Sequence, residues 1–282
     1  MSIFAKKYRK KMNSTKKFTT WSIILISILL ITFSLRCFKT IVSPQIQSDD
    51  FSIYVTMENS SEDIIEIIQS NDRNANLKGL KWIMKLKKYD LHRHSGHFII
   101  KKGYSAKNIA DILNAGIQTP VKVIINSTRT TEQIAASISS QLMLDSATIA
   151  SKLNDMDYLK SKGFDKDNVF YLIIPNTYEF YWNVSIDGFI ERIIKERDAF
   201  WNESRKEKAA KIGLSPEEVM TLASIIEEET AKNDELPIVA GLYMNRLKRG
   251  MLLQADPTVI YALGGERPKR VLKKHLETDS PY

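Results

Sequence analysis

The sequence predicts an α+β chain, and three observations carry that prediction. A strand-like apolar triplet, a Ser or Thr cap and an amphipathic helical stripe recur three times between residues 51 and 138. Beyond residue 126 the apolar spacing becomes almost wholly helical. Ahead of both, residues 18–35 carry no charge and are rich in Ile and Leu. The expected architecture is an N-terminal transmembrane helix, a small mixed α/β unit and a mainly helical domain.

The N-terminus is justified by charge. The chain has 41 basic and 33 acidic residues among 282, a net charge of +8. Lys6, Lys7, Arg9, Lys10, Lys11, Lys16 and Lys17 account for most of that excess, and no acidic residue lies among them. The remainder is near neutral and lacks the basic stripe that a phosphate backbone needs, which argues against nucleic acid as a partner. Residues 1–17 read as a cytoplasmic basic tail and 18–36 as the anchor, long enough for a bilayer core, with Trp21 at the interface. No small-x-small cleavage site follows, so the segment reads as uncleaved. The bulk of the chain is therefore expected outside the cytoplasmic membrane. Cys37 is the single cysteine, so an intrachain disulfide is impossible and the fold must rest on its apolar core.

Residues 37–50 read as a tether. Three units follow: Ile53-Tyr54-Val55 with Ser60 and a stripe of Ile64, Ile65 and Ile68; Phe98-Ile99-Ile100 with Ser105 and Ile109, Ala110 and Leu113; Val123-Ile124-Ile125 with Thr130 and Ile134, Ala135 and Ile138. Their spacing is uneven, which argues against a solenoid. Residues 51–118 are taken as one subdomain and 119–282 as another. In the latter, helices are expected at 130–144, 146–154, 187–208, 215–230, 236–248 and 257–263, with an extended stretch at 168–174. His92, His94 and His97 are close together, but no carboxylate or cysteine stands among them, and they read as a solvated turn rather than a metal site.

The most informative stretch is Leu222-Ala223-Ser224-Ile225-Ile226-Glu227-Glu228-Glu229-Thr230. Its helix starts at Ser215, with Pro216 at the first position and Glu218 completing a capping box. At about 100° per residue, Val219, Leu222, Ala223, Ile225 and Ile226 share an apolar face, and Glu229 falls on it. Glu228 is expected to point into solvent, with Glu227 at the edge. A carboxyl held against apolar side chains keeps its proton more tightly, as a general acid near neutral pH must. Glu229 is thus the candidate acid. Downstream, Asp256-Pro257-Thr258 reads as a helix start capped by Asp256, presenting Gln254, Thr258 and Tyr261 near one loop.

Taken together, Leu222 to Thr230, Asn245-Arg246-Leu247 with Gly250-Met251, and Leu253-Gln254-Ala255-Asp256-Pro257-Thr258-Val259-Ile260-Tyr261 resemble the endolytic murein transglycosylase (YceG-like) family. Pro175-Asn176-Thr177-Tyr178 and the terminal Leu276 to Tyr282 add weaker matches, with Asn176 and Ala255 departing from the family pattern. The resemblance implies that residues 51–118 are a LysM-like subdomain and 119–282 a transglycosylase domain. Because the chain stops inside a family motif, that domain is expected to be incomplete at its C-terminus.

The activity implied is a lytic transglycosylase cleaving the β-1,4 bond between N-acetylmuramic acid and N-acetylglucosamine to leave 1,6-anhydromuramic ends, with no cofactor and no metal. Glu229 would be catalytic, and Glu227, Asn245, Gln254, Thr258 and Tyr261 would contact substrate. The implied partners are peptidoglycan glycan strands, the cytoplasmic membrane and, by family analogy, peptidoglycan synthases. Two other readings stay open: a hydrolytic glycosidase using Glu227 or Asp256 as base, and a non-catalytic peptidoglycan-binding or scaffold protein.

Overall fold

A computed structural model describes residues 2–128, 130–165, 168–264, 268 and 270–278, with side chains from residue 20 onward. It divides into two compact units, residues 1–120 and 121–282.

The first unit begins with helix α1 (Ser2–Val42). Within it Thr20–Val42 is long and apolar enough to cross a bilayer, with mean hydropathy 2.1, and none of that window is covered by protein. The helix outruns the apolar run: its last turn carries Lys39 and packs on α3 (Lys78–Leu86) and α4 (Ala106–Ala115). Strand β1 (Phe51–Val55) pairs antiparallel with β2 (Gly96–Ile100), Ile53 opposite Phe98. Helix α2 (Ser61–Asn71) follows β1. Ser60 and Ser105 form capping boxes with Asp63 and Asn108, which fixes where α2 and α4 start. Ile53, Val55, Ile64, Ile68, Leu80, Met84, Phe98 and Leu113 are buried in one core.

Three features of this unit differ from the sequence reading. Helix α3 has no side-chain cap, so no start signal marked it. His97 belongs to β2 rather than a turn: its Nδ1 lies 2.8 Å from the Thr119 carbonyl and its ring stacks on Tyr54. The tether residues 43–50 are built into the unit. Gln45 and Ile46 are buried, and both backbone N–H groups donate to the Tyr104 carbonyl. The buried Asp72 carboxylate accepts the N–H groups of Gln47 at 2.6 Å and Ser48 at 3.0 Å.

Burial alone would raise the pKa of Asp72, but the N–H groups of Ser48, Gln47 and Asn74 outweigh it and hold the group below the ordinary carboxylate value. A depressed folded-state pKa contributes stability that is present above the unfolded value and lost as pH falls through the folded one. Asp72→Asn should therefore cost about 1–3 kcal/mol at neutral pH and flatten the loss of stability below about pH 4. Thermal melts of both proteins across that range test this, and parallel acid profiles would refute it.

In the second unit β3 (Val121–Ile125) pairs antiparallel with β4 (Asn176–Phe180), Val123 opposite Tyr178. Helices α5 (Thr131–Ser139), α6 (Ser146–Asn154), α7 (Met156–Ser161) and α8 (Ile186–Phe200) pack around this pair, burying Val123, Ile125, Ile138, Ile149, Phe180 and Phe189. The extended stretch expected at 168–174 is a 3-10 turn over Val169–Leu172, and the strand lies just after it. In β4 Tyr178 and Phe180 point inward and Thr177 and Glu179 outward, a period of two. The single helix expected at 187–208 is broken: Trp201 is buried and Asn202 caps α9 (Glu203–Lys211) by accepting from the Arg205 N–H. Three helices, α10 (Pro216–Glu229), α11 (Leu236–Lys248) and α12 (Asp256–Ala262), and the short α13 (Lys273–Leu276) complete the unit. Of the terminal motif Leu276 to Tyr282, residues 279–282 lie outside the described residues.

Candidate active site

Helix α10 starts as its sequence dictates, with Ser215 and Glu218 closing a capping box around Pro216. It then presents two working sides. One packs on α11 and α12 through a small core of Leu222, Tyr243 and Ala255, flanked by Ile225, Ile226, Val239, Met244 and Leu253. The other carries Glu217, Thr221, Ser224 and Glu228, spaced by three or four residues and so stacked along one stripe. That stripe forms a wall of a cleft of about 460 Å³. The opposite walls come from the loop after β3 (Asn126, Ser127), from Phe170, Tyr171 and Pro175, and from Thr258 and Tyr261 of α12. Exposed oxygens beside aromatic rings suit a polyhydroxylated ligand, whose hydroxyls need partners and whose ring faces are apolar.

The last turn of α10 fans three carboxylates. Glu227 reaches the cleft edge, where its Oε2 accepts the Ser127 hydroxyl at 2.7 Å. Glu228 lines the cleft as well. It is exposed, as expected, and the side of α10 away from its apolar face is also a cleft wall. Glu229 lies on the α11 side of the helix, close enough to Tyr243 to perturb that phenol. Burial pushes the Tyr243 pKa up, and the neighbouring Glu229 carboxylate pushes the same way, so the phenol keeps its proton. Glu229 is nevertheless exposed, and it is not among the residues lining the cleft. The apolar enclosure expected around it is absent because Leu222 is the only buried residue of α10. Immediately behind, Thr230 Oγ1 donates to Glu235 at 2.6 Å and Lys232 pairs with the same carboxylate at 2.9 Å, pinning the α10–α11 turn.

The other expected contacts divide. Thr258 and Tyr261 reach the cleft, and the Thr258 hydroxyl also donates to the Ala255 carbonyl at 2.8 Å. Asn245 is exposed on α11 and Gln254 on the loop before α12, neither lining the cleft. Gln254 sits at φ 50°, a left-handed conformation uncommon for a side chain of this kind. The turn around it is held by the Arg246 guanidinium, which donates to the Leu253 carbonyl. Asp256 is not the cap of α12: Ala255 holds that position and no side-chain cap bond forms. Sequence reasoning missed Ser127, Tyr171 and Tyr243. The Glu217–Thr221–Ser224–Glu228 stripe was legible as polar residues at helical spacing, but Ser127 and Tyr171 arrive from distant segments with no local signature. Among the described residues no group of three or more His, Cys, Asp or Glu side chains is placed to hold a metal ion.

The YceG-like family matches residues 53–282, and the chain belongs to that family. It is 27% identical over 262 residues to an endolytic murein transglycosylase of Bacillus subtilis, covering 86% of this chain and 72% of that protein. It is 30% identical over 117 residues to an endolytic murein transglycosylase of Streptococcus pneumoniae, covering 39% of this chain but only 20% of that one. The crystal structure of a YceG-like protein from Listeria monocytogenes superimposes with a TM-score of 0.53 at 25% identity, covering 83% of this chain and 81% of that one.

Proposed function

We propose that this chain is a membrane-anchored endolytic lytic transglycosylase acting on peptidoglycan during cell wall assembly. One observation carries the reading: in a YceG-like chain, Glu227 and Glu228 at the end of α10, immediately before Glu229, and the Asp-Pro-Thr helix α12 border one cleft walled by aromatic and hydroxyl side chains. Glu229 is the acid. It protonates the glycosidic oxygen between N-acetylmuramic acid and N-acetylglucosamine, and the C1–O bond breaks. The muramoyl 6-hydroxyl closes on C1, its proton passes to the Glu229 carboxylate, and the strand ends in a 1,6-anhydro ring. No water is consumed. Glu229 is open to solvent in the free protein, and a glycan laid along the cleft mouth would exclude water from it. Tyr243 holds the carboxyl in place, and Glu227, Thr258 and Tyr261 orient the sugar.

Residues 1–17 remain in the cytoplasm by the positive-inside rule, and the two units face the cell wall. Residues 51–118 act as a LysM-like glycan-holding module, and residues 119–282 as the catalytic domain. Peptidoglycan synthases, which supply nascent strands, are the partners.

Mass spectrometry of products from purified glycan strands tests the chemistry: 1,6-anhydro ends are expected. Reducing ends would replace this reading with a hydrolytic one, which the pairing of Glu227 and Glu228 in the same cleft favours. Intact strands would leave a binding protein. Running the assay on long and short strands, with and without residues 51–118, tests the module. Equal turnover of long strands by both proteins would remove its proposed role. A reporter fused beyond α4 that worked only in the cytoplasm would reverse the topology.

A further inference from the structure

The outward face of α3 combines lysines with exposed Trp82 and Leu86. At about 100° per residue, Lys78, Lys81, Trp82, Lys85 and Leu86 fall in one continuous sector, and Gly79, Leu80, Ile83 and Met84 fill the other and are buried. All five outward residues are exposed, Trp82 at 52% and Leu86 at 65%. Lys87 and Lys88 extend the basic character past the helix end. Acidic groups near this face are few: Glu62 lies 3.8 Å from Lys81, and Asp111 pairs with Lys87 at 2.5 Å.

The position of this face says what it meets. Helix α3 packs against the end of α1, with Gly79 set directly beneath the Thr40 carbonyl. Five residues separate Thr40 from Leu35, the last residue of the uncharged run, a rise of roughly 7–8 Å along the helix. The polar layer of a bilayer is about 5–8 Å deep on each side. Helix α3 therefore sits at headgroup depth, where lysines meet phosphates and Trp and Leu reach the acyl boundary.

We propose that the Lys78–Trp82–Lys85 face of α3 is a second membrane contact that binds anionic phospholipid headgroups and seats the first unit against the bilayer that α1 spans. The proposal rests on the anchor reading of α1. A free α3 face would leave the unit tilting about the anchor, whereas a seated one holds residues 43–120 close to the lipid. The chemistry is that of an interfacial amphipathic helix: basic groups spread over an apolar stripe, with charge drawing it to anionic lipid and the ring fixing its depth.

The full chain reconstituted in vesicles provides the test. Trp82 emission is isolated as the difference between the wild type and Trp82→Phe, and its quenching by aqueous acrylamide is compared in phosphatidylcholine and in phosphatidylglycerol-rich vesicles. Seating should lower the quenching constant at least about twofold in the anionic vesicles. A Lys78→Gln, Lys81→Gln, Lys85→Gln variant, whose changes are nearly neutral for helix propensity, should lose that protection, each lysine accounting for about fivefold in surface partition. Resistance to carbonate extraction is measured in parallel on every sample. If the wild type is extracted, the anchor reading falls and this contact with it. If the wild type stays anchored and Trp82 is quenched equally in both vesicles, the contact alone is wrong. Protection by soluble polyglutamate in phosphatidylcholine vesicles, without protection by anionic lipid, would overturn it in favour of an acidic polymer.

Discussion

Glu229→Gln should abolish bond cleavage, a loss of about 10²–10⁴-fold from the missing proton transfer alone, while the fold and glycan binding persist. The amide keeps the size of the carboxyl, and the α10–α11 packing rests on Leu222, Tyr243 and Ala255, which the change leaves in place. What disappears is the ability to give up a proton and recover it. The neighbouring substitutions separate this reading from its rivals. Glu228→Gln removes a charge from the cleft wall without touching the proton relay, so a rise in KM at nearly constant kcat is expected. Glu227→Gln keeps an oxygen for the Ser127 hydroxyl and should fall between the two. Tyr243→Phe should lower kcat more than it raises KM, because it frees the acid without removing a substrate contact. The assay is anhydro-product formation from purified strands, with circular dichroism and thermal melts to exclude unfolding. If Glu227→Gln or Glu228→Gln is inactive and Glu229→Gln turns over normally, the acid has been misassigned within this turn.

Gly79→Ala should destabilise the first unit and release α1 from it, although alanine is the better helix former by about 1 kcal/mol. A Cβ there would lie 2.5 Å from the Thr40 carbonyl oxygen, 2.9 Å from Gln45 Nε2 and 3.2 Å from the Ala106 Cβ. The first contact is with backbone, which cannot rotate away. The second disturbs the bond that Gln45 donates to Thr40 at 2.6 Å. Overpacking of this kind costs about 1–3 kcal/mol, so the clash outweighs the propensity gain. The expected readouts are a lower melting temperature for the full chain in detergent and faster proteolysis between residues 43 and 50. An unchanged or raised melting temperature would mean that α1 does not dock on α3 as described.

Much of the fold was legible because its signals are local. The caps at Ser60, Ser105, Thr130 and Ser215 each lie within three residues of the backbone groups they satisfy, and each starts a helix where the sequence places it. The apolar stripes behind them became the cores. What escaped was set at longer range. Helix α3 has no cap and is held by contacts with α1, α2 and α4. The break at Trp201 follows from burying that indole in the unit, not from a proline or glycine at the break. The site shows the same division. Helical geometry put Glu229 on the apolar face of α10, whereas the structure leaves it exposed near Tyr243, and of the triplet only Glu227 and Glu228 line the cleft. The degree of enclosure was not legible, since it depends on how many residues of other segments close over the helix, and only Tyr243 and Ala255 join Leu222 there as buried partners.

The bond between Ser127 and Glu227 joins residues a hundred positions apart. Closing a loop of that length costs about 4 kcal/mol in chain entropy, and a single hydrogen bond returns only about 1 kcal/mol. The bond therefore cannot draw the two segments together. What holds the two segments side by side is the β3–β4 pairing and the α10–α11 packing. The cleft therefore depends on the packing of the whole unit, and a partly unfolded protein would carry the Glu-rich motif without a working site. For an enzyme proposed to cut the wall of its own cell, this ties cutting to the completeness of the unit.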